Sequence, residues 1–434
     1  MALLVPLVLV SAAASIRLWG LGAPAAPVWD EDFYIYDANA YLGGGYGIDV
    51  GTAPTVKIDA EGTWIHPPLG KWMIALLGVG PFGLHPFGWR VPSLLAGSIG
   101  VLLLYLLALQ LWGSIWWAGL AGSLLALDGL HIVQSRIATL DIFVTTFLTA
   151  GFLFLTLDRN RGANVPFDRR RRLDHRIFGS SYRLWSGVMF GAAAASKWVA
   201  LFGLVFATLL SLVWVVSGSD ASRRSRAVGA GRVLAAFIIL PSLVYLASYA
   251  AFFYQHGAAA QDFLTLQARM LEYHVAHTQV QPENAPPWTW PLLLHPIRYF
   301  AAEQGDKVRS IVALGNPVLW WGFLALLPAV VFRAIRRPNW QTAVVLGGFA
   351  AMYLPWLFVG RSQFIYYLLP ALPFMCLGTV AGLRAFPDRL AYRVAIAFGS
   401  LAMLAAATFA PVWVGLWMDR SWVDHLQLLP DWAF

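Results

Sequence analysis

Charge and sulfur are scarce in this chain of 434 residues. Only 12% of its residues are Asp, Glu, Lys or Arg, against roughly 25% in an ordinary soluble domain. So little charge, with 59% hydrophobic residues, excludes a soluble enzyme carrying one anchor and leaves an integral membrane protein with many spans. The single cysteine, Cys376, excludes an intrachain disulfide and any cysteine-based metal cluster. Lysine is rare as well, with four lysines against 26 arginines. There is no Walker-type phosphate loop, no internal repeat and no separate soluble domain. Tryptophan is abundant at 21 residues, which suits aromatic belts at the two membrane boundaries.

A membrane helix needs roughly 20 mostly apolar residues. On that measure eleven spans are predicted, at about 1–19, 88–112, 114–130, 137–157, 184–199, 200–217, 233–254, 316–332, 341–359, 364–383 and 391–413. The first lacks a basic leader and a clean cleavage site, so a retained span is expected. The stretch Trp72 to Leu84 is apolar but short, and reads as a helix lying in the interface. Charge orients the whole. The segments 158–183, 218–232, 333–340 and 384–393 hold eight, four, three and three Lys or Arg residues, and all fall on one side, as the positive-inside rule requires. The run Arg169 to Arg172 is read as topogenic, and no nucleic-acid partner is expected despite the net charge of +8. Two long segments, 20–87 and 255–315, then face outside, and the working site is expected there. The predicted architecture is an all-α polytopic membrane protein.

Five constellations in or beside these outer segments could carry chemistry. Asp30 and Glu31 lie in Val28-Trp29-Asp30-Glu31-Asp32. The helical spacing of Tyr34, Asp37, Ala38 and Tyr41 puts both carboxylates at a helix N-terminus, where a cap and a catalytic acid–base pair are both consistent with the pattern. In His66-Pro67-Pro68-Leu69-Gly70-Lys71 the prolines block a helix and Gly70 permits close backbone approach. Lys71 there can hold a lipid phosphate or merely snorkel. Arg136 and Asp141 straddle a boundary between spans, as an internal pair or as substrate ligands. Lys197, in Ser196-Lys197-Trp198, occupies a tight outer turn where lysine must face the bundle interior or a phosphate. Arg361 opens the tenth span, near Tyr366, Tyr367, Pro370 and Pro373. With Arg90, these outer cations (Lys71, Arg136, Lys197 and Arg361) are expected to form a ring opposite the carboxylates. That arrangement suits a lipid-phosphate donor better than a channel filter.

These residues, in this order, resemble the protein O-mannosyltransferases. The matching elements are Arg17-Leu18-Trp19 ahead of Val28-Trp29-Asp30-Glu31, the intact His66 to Lys71 motif, Arg90, Arg136 to Asp141 and Ser196-Lys197-Trp198. Further on they include Leu271 to His274, Pro287 to Pro291, Asn316 to Trp321 and Pro370 to Phe374. Trp29 replaces the family's usual Phe, and Tyr367-Leu368 stand where many members have His-Tyr. The resemblance implies a GT-C membrane fold in one catalytic domain, 1–434. The segment 255–315 is too short for the MIR domains of eukaryotic members, so a bacterial, actinobacterial type is implied. The implied donor is polyprenyl-phosphate mannose, the acceptor a Ser or Thr of a secreted polypeptide, and the transfer inverting.

In this scheme Asp30 is the base and Glu31 supports it or positions substrate. His66, Lys71, Arg90, Arg136, Asp141, Lys197 and Arg361 bind the donor phosphate or substrate. No essential metal or cofactor is expected, because cations can stabilise the departing phosphate. The expected setting is the cell membrane, in contact with lipid, with the site on the extracytoplasmic face and a possible link to the secretion channel. Two other readings stay open here. One is a GT-C transferase moving another lipid-linked sugar, such as aminoarabinose. The other is a lipid-linked sugar transporter, for which inverted repeats would be expected.

Overall fold

The computed structural model describes residues 4–44, 64–162, 180–217, 222–256, 260–276, 281–432 and 434. The run Arg169 to Arg172 lies outside them. Each of the eleven expected spans falls on a helix. α1 (Leu4–Leu18) is followed by the short α2 (Glu31–Tyr41), α3 (Leu69–Phe82), α4 (Pro86–Trp112), α5 (Ile115–Ala126), α6 (Gly129–Gln134) and α7 (Asp141–Gly162). Then come α8 (Ser181–Ala194), α9 (Ala200–Val216), α10 (Arg223–Ser248), α11 (Ala250–His256) and α12 (Ala260–Ala276). The last long helices are α13 (Pro317–Arg336), α14 (Trp340–Phe358), α15 (Ile365–Leu383) and α16 (Asp388–Val414), before a short α17 (Arg420–His425). Among the described residues seven helices are long and apolar enough to cross a membrane, namely α4, α7, α10, α13, α14, α15 and α16. The helices α1, α5, α8 and α9 are shorter.

Several boundaries differ from the sequence reading for local reasons. α8 stops at Ala194, so residues 195–199 form a connection that places Lys197 off the helix. α10 begins at Arg223, capped by the Ser222 hydroxyl, so the basic stretch expected as a loop is the helix's first turns. α3 begins at Leu69, directly after the prolines. Gly70 allows a close approach there, since a Cβ would meet Leu140 Cδ2 at 2.7 Å.

Residues 297–313 and 417–419 also form a small sheet that the all-α reading omitted. β1 (Ile297–Gln304) pairs antiparallel with β2 (Lys307–Ala313), and β2 pairs with β3 (Trp417–Asp419). The β1–β2 loop is Gly305-Asp306, with Gly305 at φ 58°, a left-handed conformation that two-residue hairpins demand.

The helix termini show how the chain is folded into two ends. Asp128 N-caps α6 and also accepts from the backbone N–H of Asn316 and the indole of Trp320. This ties the start of α6 to the start of α13. Residues 127–140, 195–199, 281–316, 359–364 and 415–432 therefore gather at one end, with α2, α12 and the sheet. Residues around 113, 160, 183 and 384 gather at the other.

Candidate active site

α2 is anchored by two buried ion pairs. Lys71 Nζ lies 2.9 Å from the Asp37 carboxylate, both side chains nearly inaccessible, which clamps α2 to α3. Glu31 is held more tightly. Its Oε2 accepts from the backbone N–H of Val28 at 2.8 Å and from Arg90 Nη2 at 2.7 Å. Its Oε1 accepts from Arg90 Nε at 2.8 Å and from the N–H of Ala138 at 2.9 Å. Arg90 spends its remaining donors on the carbonyls of Leu21, Pro24 and Ala26. Such a pair contributes mainly by what its loss costs. Removing one partner of a buried, hydrogen-bonded ion pair costs about 3–5 kcal/mol.

Asp30 is the contrast. It occupies the N-cap position of α2, yet its side chain makes no capping bond. Among the described residues its carboxylate has no hydrogen-bond or ion-pair partner. It instead lines a cavity of about 480 Å3 with Trp29, Tyr34, His66, Lys197 and Arg361 among the walls, within the range of ligand pockets. Burial raises its pKa to about 7, an effect reduced by nearby Lys197 and reinforced by Asp141 and Asp32. The backbone that aims it is strained. Trp29 has φ 55°, a left-handed conformation costing of order 1–3 kcal/mol for a bulky residue. A stack on Tyr299, with centroids 4.8 Å apart, holds it there.

Two cations face Asp30's cavity. Lys197 Nζ donates to both Asp141 oxygens, at 3.0 and 2.9 Å, and lies 5.3 Å from the Tyr367 ring centroid. An ammonium has three N–H donors, so one remains for a ligand. Arg361 also lies over the Tyr367 ring, 5.5 Å from its centroid. His66 stacks on His274 at 5.3 Å. Burial, then Lys197, His274, Lys71 and Arg361, push the His66 pKa well below its ordinary value, so its imidazole is neutral. Two polar atoms on cavity walls, His66 Nδ1 and Trp29 Nε1, are buried without a partner among the described residues.

The expected ring of cations is therefore divided. Lys197, Arg361 and His66 line the cavity with Asp30. Asp141 stands behind Lys197. Lys71 and Arg90 are turned to carboxylates of α2. Arg136 donates to the carbonyls of Ile16, Arg17, Trp19, Gly20 and Val414. Its guanidinium closes the end of α1 onto the end of α16 and does not pair with Asp141. The wall residues not singled out as site residues from sequence include Tyr273, His274, Gln281 and Glu283. A polar Tyr-His pair on the otherwise amphipathic α12 was the available signal for the first two. Tyr367, where the family's His-Tyr is absent, lies beneath both cavity cations.

Beside the polar cavity is an apolar groove of about 610 Å3 between α9, α10 and α12, walled by Trp198, Leu201, Val205, Ile238 and Phe263 among others. Trp198 follows Lys197 directly, so one turn supplies a wall residue to each of the two spaces.

The family described as dolichyl-phosphate-mannose-protein mannosyltransferase matches residues 7–256. The C-terminal four-transmembrane region of protein O-mannosyltransferase matches residues 259–432. The chain belongs to this mannosyltransferase family. It is 27% identical to the polyprenol-phosphate-mannose–protein mannosyltransferase of Mycolicibacterium smegmatis, over 98% of this chain and 92% of that protein. It is 26% identical to the protein of the same name in Corynebacterium glutamicum, over 96% and 91%. These relatives bear out the actinobacterial type. The fold is similar to the Saccharomyces cerevisiae protein O-mannosyltransferase Pmt1–Pmt2 complex bound to its sugar donor, with a TM-score of 0.84 at 15% identity, covering 100% of this chain and 93% of that one. It is less similar to ArnT of Cupriavidus metallidurans bound to undecaprenyl phosphate, with a TM-score of 0.60 at 16% identity, covering 93% and 64%. The GT-C fold and the multi-pass membrane character expected from sequence are thus established, and the protein is a glycosyltransferase of the mannosyl class.

Proposed function

We propose that this mannosyltransferase moves mannose from polyprenyl-phosphate mannose to Ser or Thr hydroxyls of polypeptides, with inversion. The observation that carries this reading is the junction at Lys197-Trp198. A polar cavity walled by Asp30, Lys197 and Arg361 lies beside an apolar groove, which fits a donor with a sugar-phosphate head and a long hydrocarbon tail.

The chemistry follows from the cavity walls. The acceptor oxygen attacks the anomeric carbon while its proton passes to an Asp30 oxygen. The bond between that carbon and the phosphate oxygen breaks, and its electron pair leaves with the phosphate. The departing dianion needs charge stabilisation rather than a proton, supplied here by Lys197 and Arg361, with Asp141 holding Lys197 in place. His66 and Trp29 wall the space that receives the sugar and phosphate. Glu31, Arg90, Lys71 and Arg136 act by fixing the position of α2 and of residue 30. The raised pKa of Asp30 makes it a stronger base than an ordinary carboxylate and brings its titration near neutral pH.

On this reading the whole chain works as one membrane-embedded catalytic domain in the cell membrane. The site faces the extracytoplasmic side, where an unfolded chain leaving a secretion channel is the natural acceptor. No metal is required in the proposed steps. Purified protein incubated with labelled polyprenyl-phosphate mannose and a Thr-rich peptide should yield a peptide heavier by one hexose, in the presence of excess chelator as well as without it. Transfer from an aminoarabinose donor to a lipid, with none to peptide, would favour the other lipid-linked reading. Activity that vanishes with chelator and returns with added metal would overturn the metal-free scheme.

A further inference from the structure

α12 touches both spaces of the site. Its first turns supply Phe263 and Gln267 to the wall of the apolar groove, and its end supplies Tyr273 and His274 to the polar cavity. It is tethered at two points. Gln267 Oε1 accepts from Tyr245 Oη at 2.6 Å, and the same Oη accepts from the Trp198 indole at 2.9 Å. This ties the helix to the turn that carries Lys197. The second tether is His274. Its Nδ1 lies 3.1 Å from Arg361 Nη1, and its Nε2 lies 3.0 Å from the Ile65 carbonyl oxygen.

These two contacts assign the tautomer. A guanidinium nitrogen can only donate, so Nδ1 is the acceptor, and a carbonyl can only accept, so Nε2 carries the proton. Burial, then the field of Arg361, lowers the His274 pKa to about 4, which keeps the ring in this neutral, two-sided form. His274 is further fixed by its stack on His66 and a tilted contact with Trp198 at 5.8 Å. Arg361 lies within a segment with no regular helix, residues 359–364, and among the described residues the His274 bond and the face of Tyr367 orient its guanidinium.

We infer that His274 is a positioning residue for the donor phosphate: it aims Arg361 into the cavity by accepting one of its N–H groups while anchoring to the Ile65 carbonyl. The inference rests on Arg361 acting at the phosphate, as proposed above. It assigns His274 no contact with the reacting atoms. A residue of this kind tunes the donor side of the reaction and leaves the acceptor side alone.

The test uses the full-length protein in nanodiscs with polyprenyl-phosphate mannose and a Thr peptide. A hydrogen bond to a charged group contributes enough for about a tenfold effect. His274→Ala should therefore lower kcat/KM for the donor about tenfold while leaving KM for the peptide unchanged. His274→Gln, whose amide can accept from Arg361 and donate to Ile65, should recover part of the loss, whereas His274→Phe, which keeps ring packing, should not. The double variant with Arg361→Ala should be no worse than Arg361→Ala alone. If Arg361→Ala leaves donor kinetics unchanged, the phosphate role of Arg361 fails and the inference falls with it. If Arg361→Ala is impaired while the His274 variants match the parent protein, or if the two losses multiply, the positioning role alone is overturned.

Discussion

The walls of the cavity and the far end of the helix bundle use charge differently. Around the cavity, charges are buried and paired through protein: Lys71 with Asp37, Arg90 with Glu31, Lys197 with Asp141, whereas ion pairs such as Arg420 with Glu303 stay exposed on the surface of the cavity's end. At the far end, arginines lie over aromatic faces: Arg159 on Trp214 at 5.0 Å, Arg161 on Tyr182 at 4.4 Å and Arg384 on Trp112 at 5.1 Å. The ion pair there, Arg183 with Asp158, is partly open to solvent. An arginine that only has to stay on one side of a membrane can use its stem and a nearby ring. One that has to hold a carboxylate in place must be desolvated and fully bonded. Against both groups stands Asp30 on the cavity wall, whose carboxylate has no hydrogen-bond or ion-pair partner among the described residues.

Breaking the site-end pairs should give the largest effect on folding. Arg90→Ala leaves Glu31 buried and uncompensated, so a loss of about 3–5 kcal/mol is expected, read as a lowered midpoint in thermal unfolding of detergent-solubilised protein. Glu31→Gln should fall in the same direction, with activity lost in proportion to folded protein. A smaller and reversible effect should come from pH. Asp30 must be unprotonated to accept the acceptor's proton and its pKa lies near 7, so kcat/KM should fall about tenfold per pH unit below that value and level off above it. A profile flat from pH 5 to 8 would remove Asp30 from the role of base. The smallest effect belongs to the far end. Arg384→Ala gives up one cation–aromatic contact worth about 0.5–1 kcal/mol, with transfer activity per folded molecule unaltered. A larger fall in activity there would erase the distinction between the two ends.

Much of this was legible from residue order. Apolar runs located the seven helices that are long and apolar enough to cross a membrane, because burial in lipid leaves a long, uninterrupted signature. The helical spacing from Tyr34 to Tyr41 located α2, and Gly70 marked a close backbone approach. The partners of the charges were not legible. Arg90 meets Glu31 across 59 positions and Arg136 meets backbone carbonyls more than a hundred positions away, and a carbonyl has no sequence signature. A cation near membrane depth reads the same whether it awaits a phosphate or closes a helix end. The sheet escaped for another reason. Ile297 to Gln304 alternates inward and outward only partly, with a register shift between Arg298 and Phe300, and the Gly305-Asp306 turn was the one clean signal. His274 was visible as part of a motif, but its role depends on Arg361 and Ile65, which are remote in the chain.

The central claim is that Asp30 does the proton chemistry while its neighbour Glu31 holds the fold. Asp30→Asn tests it most directly, with turnover and donor binding measured on the same purified sample. The side chain keeps its size and loses only its basicity, so the account predicts an unchanged unfolding midpoint, retained binding of polyprenyl-phosphate mannose and a fall in mannosyl transfer of about 10²–10⁴-fold. Transfer near the parent rate by that variant would contradict it.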